Sequence, residues 1–252
     1  MSGYSLKSHS VPHKIDLKVR WNIPLPEPEV RDATDLKTVL ARPGCTLKGP
    51  VYYMYRDVAS SAADRWWLKR SILRYDITVI PPCKLCGEFV KTKGHYHPDS
   101  PSGVGYPEIY EVLEGKAHYL LQSHNLSDVV MIKAIKGDVI IVPPGYGHIT
   151  INPTQDTVLK MANIVSSAFE SNYQDYEDLK GAAYYEMDDG KFVKNPAYPK
   201  VPALRIVTAK TDLNTRVIIP PPIYGLIERR NATLGLLNHP EKFESLFQNL
   251  NR

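Results

Sequence analysis

His95 and His97 stand one residue apart, Glu108 follows eleven positions later, and His148 comes just after the corner Pro143-Pro144-Gly145. Imidazole nitrogens and a carboxylate oxygen are donor types that bind a divalent transition ion. Three neutral imidazoles and one carboxylate would leave that ion with a net charge of about +1 and one or two open positions. Such an ion can hold two adjacent oxygens of a substrate and polarise them as a Lewis acid. Residues i and i+2 of a strand share a face, so a strand over 89–97 would aim His95 and His97 the same way. Taken alone, a His-x-His pair is more often a surface or hydrogen-bonded pair than a ligand pair. A third histidine and a glutamate on strands of the same barrel would strengthen the ligand reading.

Those four residues need a β scaffold, and residues 75–165 supply one. YDITVI, EFVKTKG, EIYEVLEG, AHYLLQS, VVMIKAI, DVIIVPP, HITINPT and TVLKMANIV succeed one another, separated by Pro, Gly, Asn and Asp turns. Short apolar runs with turn signals every eight to twelve residues or so predict an all-β barrel or double-sheet sandwich. AHYLLQS departs from strict alternation. Before the barrel, LKVRW (17–21) reads as an edge strand and PLPEPE breaks the chain. DATDLKTVLA (32–41) then predicts a short amphipathic helix behind an aspartate cap, with apolar positions at 33, 36, 39 and 40. A second short helix is expected around Ala62–Lys69. Beyond Pro196 the chain is Pro-rich, and a short helix over PEKFESLFQNL would put Phe243, Leu246, Phe247 and Leu250 on one face. The expectation is one domain over 1–252, with its barrel core at about 50–198. Residues 199–252 would pack on the barrel or on a second subunit.

Composition narrows the function classes. A net charge of +4 without a dense Lys/Arg run tolerates an anionic small molecule but is weak for nucleic acid. No apolar stretch approaches the ~18 residues of a membrane span. MSGYSLKSHSVPHK lacks an apolar leader core, so the sequons at Asn125 and Asn231 carry little meaning. Three cysteines are too few for a disulfide framework, which makes a reducing cytoplasm the expectation. Cys83-Lys-Leu-Cys86-Gly87 has the shape of half a zinc knuckle, yet only Cys45 remains to complete it. It reads as a turn with two incidental thiols.

The run from Gly137 to Asn152, joined to His95-x-His97, Glu108 and Gly115, resembles the two-part signature of the cupin superfamily. The resemblance implies a double-stranded β-helix (jelly-roll barrel) and a divalent metal on His95, His97, Glu108 and His148. Two features depart from the pattern: Phe89 stands where glycine is usual, and the gap from His97 to Glu108 is long. That gap leaves Glu111 as an alternative to Glu108, although Glu108 keeps the right distance to Gly115.

A narrower resemblance runs from about Pro50 to Tyr198. T78-VIPPCKLCGEFVK-T92-K-G94-H95-Y-H97, followed by P107-E108-I-Y110 and GKAHYLLQ, is similar to the archaeal-type, cupin-fold glucose-6-phosphate isomerases. That family implies interconversion of glucose 6-phosphate and fructose 6-phosphate by a metal-dependent homodimer. Fe2+ or Mn2+ is the expected ion, with Zn2+ and Ni2+ as alternatives. Its phosphate-holding positions correspond to Tyr53, Thr78, Thr92 and Gly94, and Tyr110 and Tyr173 fall near the substrate. Glu108 and Tyr110 are the expected proton-handling groups. Val165 and Ser171 stand where relatives tend to carry a tyrosine and a histidine. Two rival readings use the same ligands: a cupin dioxygenase, or a sugar-phosphate-binding cupin without turnover. A mannose-type substrate is a variant within the isomerase class.

Overall fold

The computed structural model describes residues 23–42, 44–209 and 219–248. The predicted strand at 17–21 and the position of Leu250 lie outside them. The strands in chain order are β1 (Glu29–Asp32), β2 (Pro50–Tyr55), β3 (Leu73–Ile80), β4 (Lys84–Leu85), β5 (Glu88–Phe89), β6 (Glu108–Glu114) and β7 (Lys116–Ser123). They continue as β8 (Val129–Ile135), β9 (Val139–Val142), β10 (Tyr146–Ile151), β11 (Leu159–Ser166), β12 (Tyr184–Glu186), β13 (Phe192–Lys194) and β14 (Arg205–Thr208). The helices are α1 (Ala62–Arg70), α2 (Gln174–Asp178), α3 (Tyr224–Glu228) and α4 (Glu244–Gln248).

Two sheets face each other across the core, in strand orders β1-β2-β3-β11-β6-β9 and β10-β7-β8-β14. This is the all-β double-sheet architecture expected from the sequence. The exception to its antiparallel pairing is β14, which joins β8 in parallel from the C-terminal side. Strand β7 lost its alternation because both of its faces are buried. Tyr119 and Leu121 are buried, and so are Leu120 and Gln122 on the opposite face. Gln122 is held there by Tyr96, Tyr198 and the backbone N–H of Ala183.

The helix expected at 32–41 is a 3-10 helix over Ala33–Val39. Its buried residues Ala33, Leu36 and Val39 recur every three positions, which suits a helix of three residues per turn. Asp32 caps it by accepting from Thr34 N at 3.0 Å, while Asp32 N donates to Asp35 at 3.0 Å. Helix α1 starts as expected, with Asp64 N donating to Ser61 Oγ at 3.1 Å. The C-terminal extension lies against its own barrel: Ile223 N donates to Glu111 Oε2 at 2.7 Å, and Asn238 Nδ2 donates to Ser71 O at 2.7 Å. At its end Phe247 is buried and Phe243 packs on the core.

Two sequence expectations fail here. EFVKTKG is not a continuous strand, because only Glu88–Phe89 pairs regularly, in a two-residue hairpin with β4. The cysteines are not all free thiols: Cys45 and Cys86 form a disulfide across 41 residues of chain, leaving Cys83 as the free one. The β4–β5 turn packs beside the segment after the 3-10 helix, a long-range contact that residue spacing alone does not disclose.

Candidate metal centre

The chain after β5 runs along the edge strand β10 and carries half of the site. Lys91 bridges Ile151, Thr92 N donates to Thr150 O at 2.8 Å, and His95 bridges His148. The paired numbers shift by one between Thr92 and His95, so one extra residue is inserted there. Gly94 takes up that bulge at φ 84°, a left-handed conformation. A Cβ at Gly94 would sit 2.6 Å from Ile149 Cγ1 and 3.0 Å from the Tyr176 ring. Beyond it His95 and His97 point together as the spacing predicted, though from bridged chain and not from a regular strand.

The opposite wall comes from β6, where period-two alternation separates the two candidate glutamates. Glu108 and Tyr110 face the interior cavity. Glu111 faces the other way and receives Ile223 N, so Glu108 is the glutamate that joins the histidine cluster. His148 enters from β10.

The His95, His97 and His148 rings and Glu108 place their ligand atoms within 4.8 Å of one another. His95 Nε2 is 3.2 Å from His97 Nε2, and Glu108 Oε2 lies 3.3 Å from both His97 Nε2 and His148 Nε2. The side chains of His97, Glu108 and His148 are no more than 4% exposed. His97 Nδ1 bonds the Tyr106 carbonyl at 2.9 Å, so it carries the proton and leaves Nε2 as a donor lone pair. Burial and the His148 and His97 rings hold His95 well below the usual imidazole range, and burial also lowers His148. Burial alone would raise Glu108, but the His148 and His97 rings beside it outweigh that and hold it well below the usual carboxylate range. Glu108 Oε2 is buried without a hydrogen-bond partner. A buried carboxylate oxygen facing converging imidazole nitrogens is costly unless a cation sits among them. The cluster therefore fits a divalent ion.

A cavity of about 580 Å³ opens from this cluster, within the range of small-molecule sites. Thr78, Thr92, Gly94, Tyr110 and Tyr173 all line it. Thr92 Oγ1 accepts Thr150 N at 3.0 Å, which leaves its hydroxyl proton for a ligand. The Tyr173 ring lies 5.5 Å from the His95 ring, with Lys93 Nζ 5.5 Å from its centre. Tyr110 OH is 3.1 Å from His148 Nε2. Burial, then the charge of Glu108, keeps Tyr110 well above the usual tyrosine range, so it stays a phenol.

Tyr53 is the exception. It is buried in the core while its strand neighbours Tyr52, Met54 and Arg56 line the cavity, because alternate residues of β2 face opposite sides. The oxygen from β2 near the threonine end is Tyr52 OH, which accepts Lys93 N at 3.3 Å. Sequence reasoning also missed Arg56, Arg74 and Asp76. Counting back by twos from Thr78 along β3 would have found Asp76 and Arg74. A larger hollow of about 1140 Å³ lies beside the Cys45–Cys86 disulfide, but among the described residues no metal-ligand cluster converges there.

The family model described as glucose-6-phosphate isomerase (GPI) matches residues 30–203, well over half of the chain. The chain belongs to that family. A glucose-6-phosphate isomerase of Thermococcus litoralis is 38% identical over 33% of this chain and 42% of its own length. The Thermococcus gammatolerans enzyme is 33% identical over 50% of this chain and 65% of its own length, and that of Pyrococcus furiosus 31% over 52% and 68%. The matched region thus spans from under half to about two thirds of these relatives. Solved structures overlay loosely. Hazelnut vicilin gives a TM-score of 0.38 at 13% identity over 57% of this chain and 33% of its own. Peruvianin-I from Thevetia peruviana gives 0.37 at 18% over 49% and 66%. Val165 and Ser171 both line the cavity.

Proposed function

We propose that this chain is a metal-dependent aldose–ketose isomerase interconverting glucose 6-phosphate and fructose 6-phosphate. The observation that supports the reading is one cavity lined both by the His95, His97, Glu108 and His148 cluster and by Thr78 and Thr92. A divalent ion held by those four residues, Fe2+ or Mn2+ before Zn2+ or Ni2+, would supply Lewis acidity at the sugar's C1–C2 oxygens. Thr78 and Thr92 offer hydroxyl donors and Gly94 a close backbone approach for the phosphate, while the Lys93 ammonium is paired with Glu177. Tyr173 closes one side of the cavity over His95. Moving hydrogen between C1 and C2 needs a proton-accepting group and a donor beside it. Glu108 is the carboxylate there, and Tyr110, held as a phenol, is the donor.

The enzyme is read as a single cupin domain acting on a phosphorylated hexose in the cytoplasm, as a homodimer. Edge strand β1 of the large sheet is where a second copy could add. Among the described residues no helix is long and apolar enough to cross a membrane. Thr92→Ala tests the phosphate assignment. KM for fructose 6-phosphate should rise by about tenfold, the worth of one hydrogen bond to a charged group. An unchanged KM would move the phosphate elsewhere.

A further inference from the structure

On the wall formed by β2 and β3, Asp76 is fully buried and shared by two arginines. Its Oδ2 takes Arg56 Nη1 at 2.8 Å and Arg74 Nε at 2.7 Å, while its Oδ1 accepts Asp57 N at 3.0 Å. Asp76 is thus shared between two guanidinium groups, and both arginines line the cavity, together with the carboxylates of Glu29, Asp57 and Glu170. Arg56 is further occupied by Met54 Sδ at 3.1 Å and by exposed Glu29 at 3.6 Å. Among the described residues, Arg74 has only its Nε bond to Asp76, so its two Nη groups are the donors left over. With Nε fixed, the guanidinium plane is oriented before any ligand arrives, which lowers the cost of binding an oxyanion.

Register places this charge at a particular level. Arg74 pairs with Val165, and Val165 pairs with Glu108, so Arg74 shares a row with a metal-centre ligand, two strand spacings or ~10 Å across the sheet. Thr78, at the phosphate end, is four residues along the same strand, ~13 Å away. A side chain reaching inward from Arg74 brings that span near the length of a hexose carrying an anion at each end.

We propose that Arg74, braced by Asp76 and seconded by Arg56, is a second anion subsite. It admits sugar phosphates that carry a further phosphate at the end nearest the metal ligands. The proposal rests on the isomerase reading for the position of the first phosphate.

The test is calorimetric binding of fructose 1,6-bisphosphate and of fructose 6-phosphate to native protein, Arg74→Gln and Arg74→Lys, with metal content measured in each. In native protein the bisphosphate should bind at least about tenfold tighter, the worth of one charge-assisted contact. In Arg74→Gln the ratio of the two Kd values should collapse toward one, and Arg74→Lys should restore part of it. A native ratio near one with fructose 6-phosphate bound overturns the subsite and leaves the isomerase reading standing. A ratio that survives in Arg74→Gln also overturns it. Failure of both sugars to bind native protein overturns the subsite together with that reading.

Discussion

Gly94→Ala probes the bulge that sets His95 against His148. Two costs are legible. Alanine at φ 84° occupies the left-handed region, a cost of roughly 1–2 kcal/mol. The new methyl would lie 2.6 Å from Ile149 Cγ1 and 3.0 Å from the Tyr176 ring, inside packed side chains, and overpacking of that kind costs about 1–3 kcal/mol. Together they predict a loss of about 2–5 kcal/mol, or a Tm fall of roughly 4–20 °C for a chain of this size. Gly137 is the natural control, since it has φ 87° with no atom within 4 Å of a Cβ there. Gly137→Ala should therefore lose only the backbone cost, about 1–2 kcal/mol. Thermal and urea unfolding of both variants would separate the two contributions, and metal titration would show weaker loading in Gly94→Ala alone. Equal destabilisation in the two variants would refute the close approach at Gly94 and the bulge argument with it.

Three further outcomes follow from the same geometry. Tyr110→Phe removes the hydroxyl 3.1 Å from His148 Nε2, and kcat should fall by roughly 10²–10⁴ with the metal retained, read by steady-state kinetics and metal analysis. Burial pushes the Cys83 thiol up to about 12, so at pH 8 iodoacetamide should modify it on the order of a thousandfold more slowly than in the unfolded chain, followed by mass spectrometry. Reducing Cys45–Cys86 frees a chain segment spanning 41 residues and should cost about 4 kcal/mol in urea unfolding; equal midpoints with and without reductant would show that the bond adds nothing.

The β barrel was readable because it depends on local pattern, and the four candidate ligands because their motif resembles a known one. Period-two alternation and turn residues mark the strands, and His95 and His97 stand at strand spacing. Tyr53 was assigned by the family resemblance, and it does not line the cavity. Which face of β2 looks inward depends on its pairing with β3, where Met54 meets Thr78, and that register is not visible in PVYYMY. The segment after β5 read as a strand because EFVKTKG has the composition of one, but the bulge at Gly94 divides it. The Cys45–Cys86 bond and the Arg56–Asp76–Arg74 group join residues far apart in the chain or spread along two strands. Neither leaves a contiguous motif. Glu111 was an alternative to the preferred Glu108, and the C-terminal segment, docking through Ile223, accounts for it.

The central claim, that the three-histidine, one-glutamate cluster works as the metal centre of a sugar-phosphate isomerase, is tested most directly by a coupled assay on chelator-stripped protein. Fructose 6-phosphate is supplied, Fe2+, Mn2+, Zn2+ or Ni2+ is added singly, and glucose 6-phosphate is followed. Turnover absent in the stripped protein and restored by at least one ion is the predicted result. Stoichiometric metal uptake without glucose 6-phosphate from any ion would contradict it, leaving a metal-binding barrel with a different function.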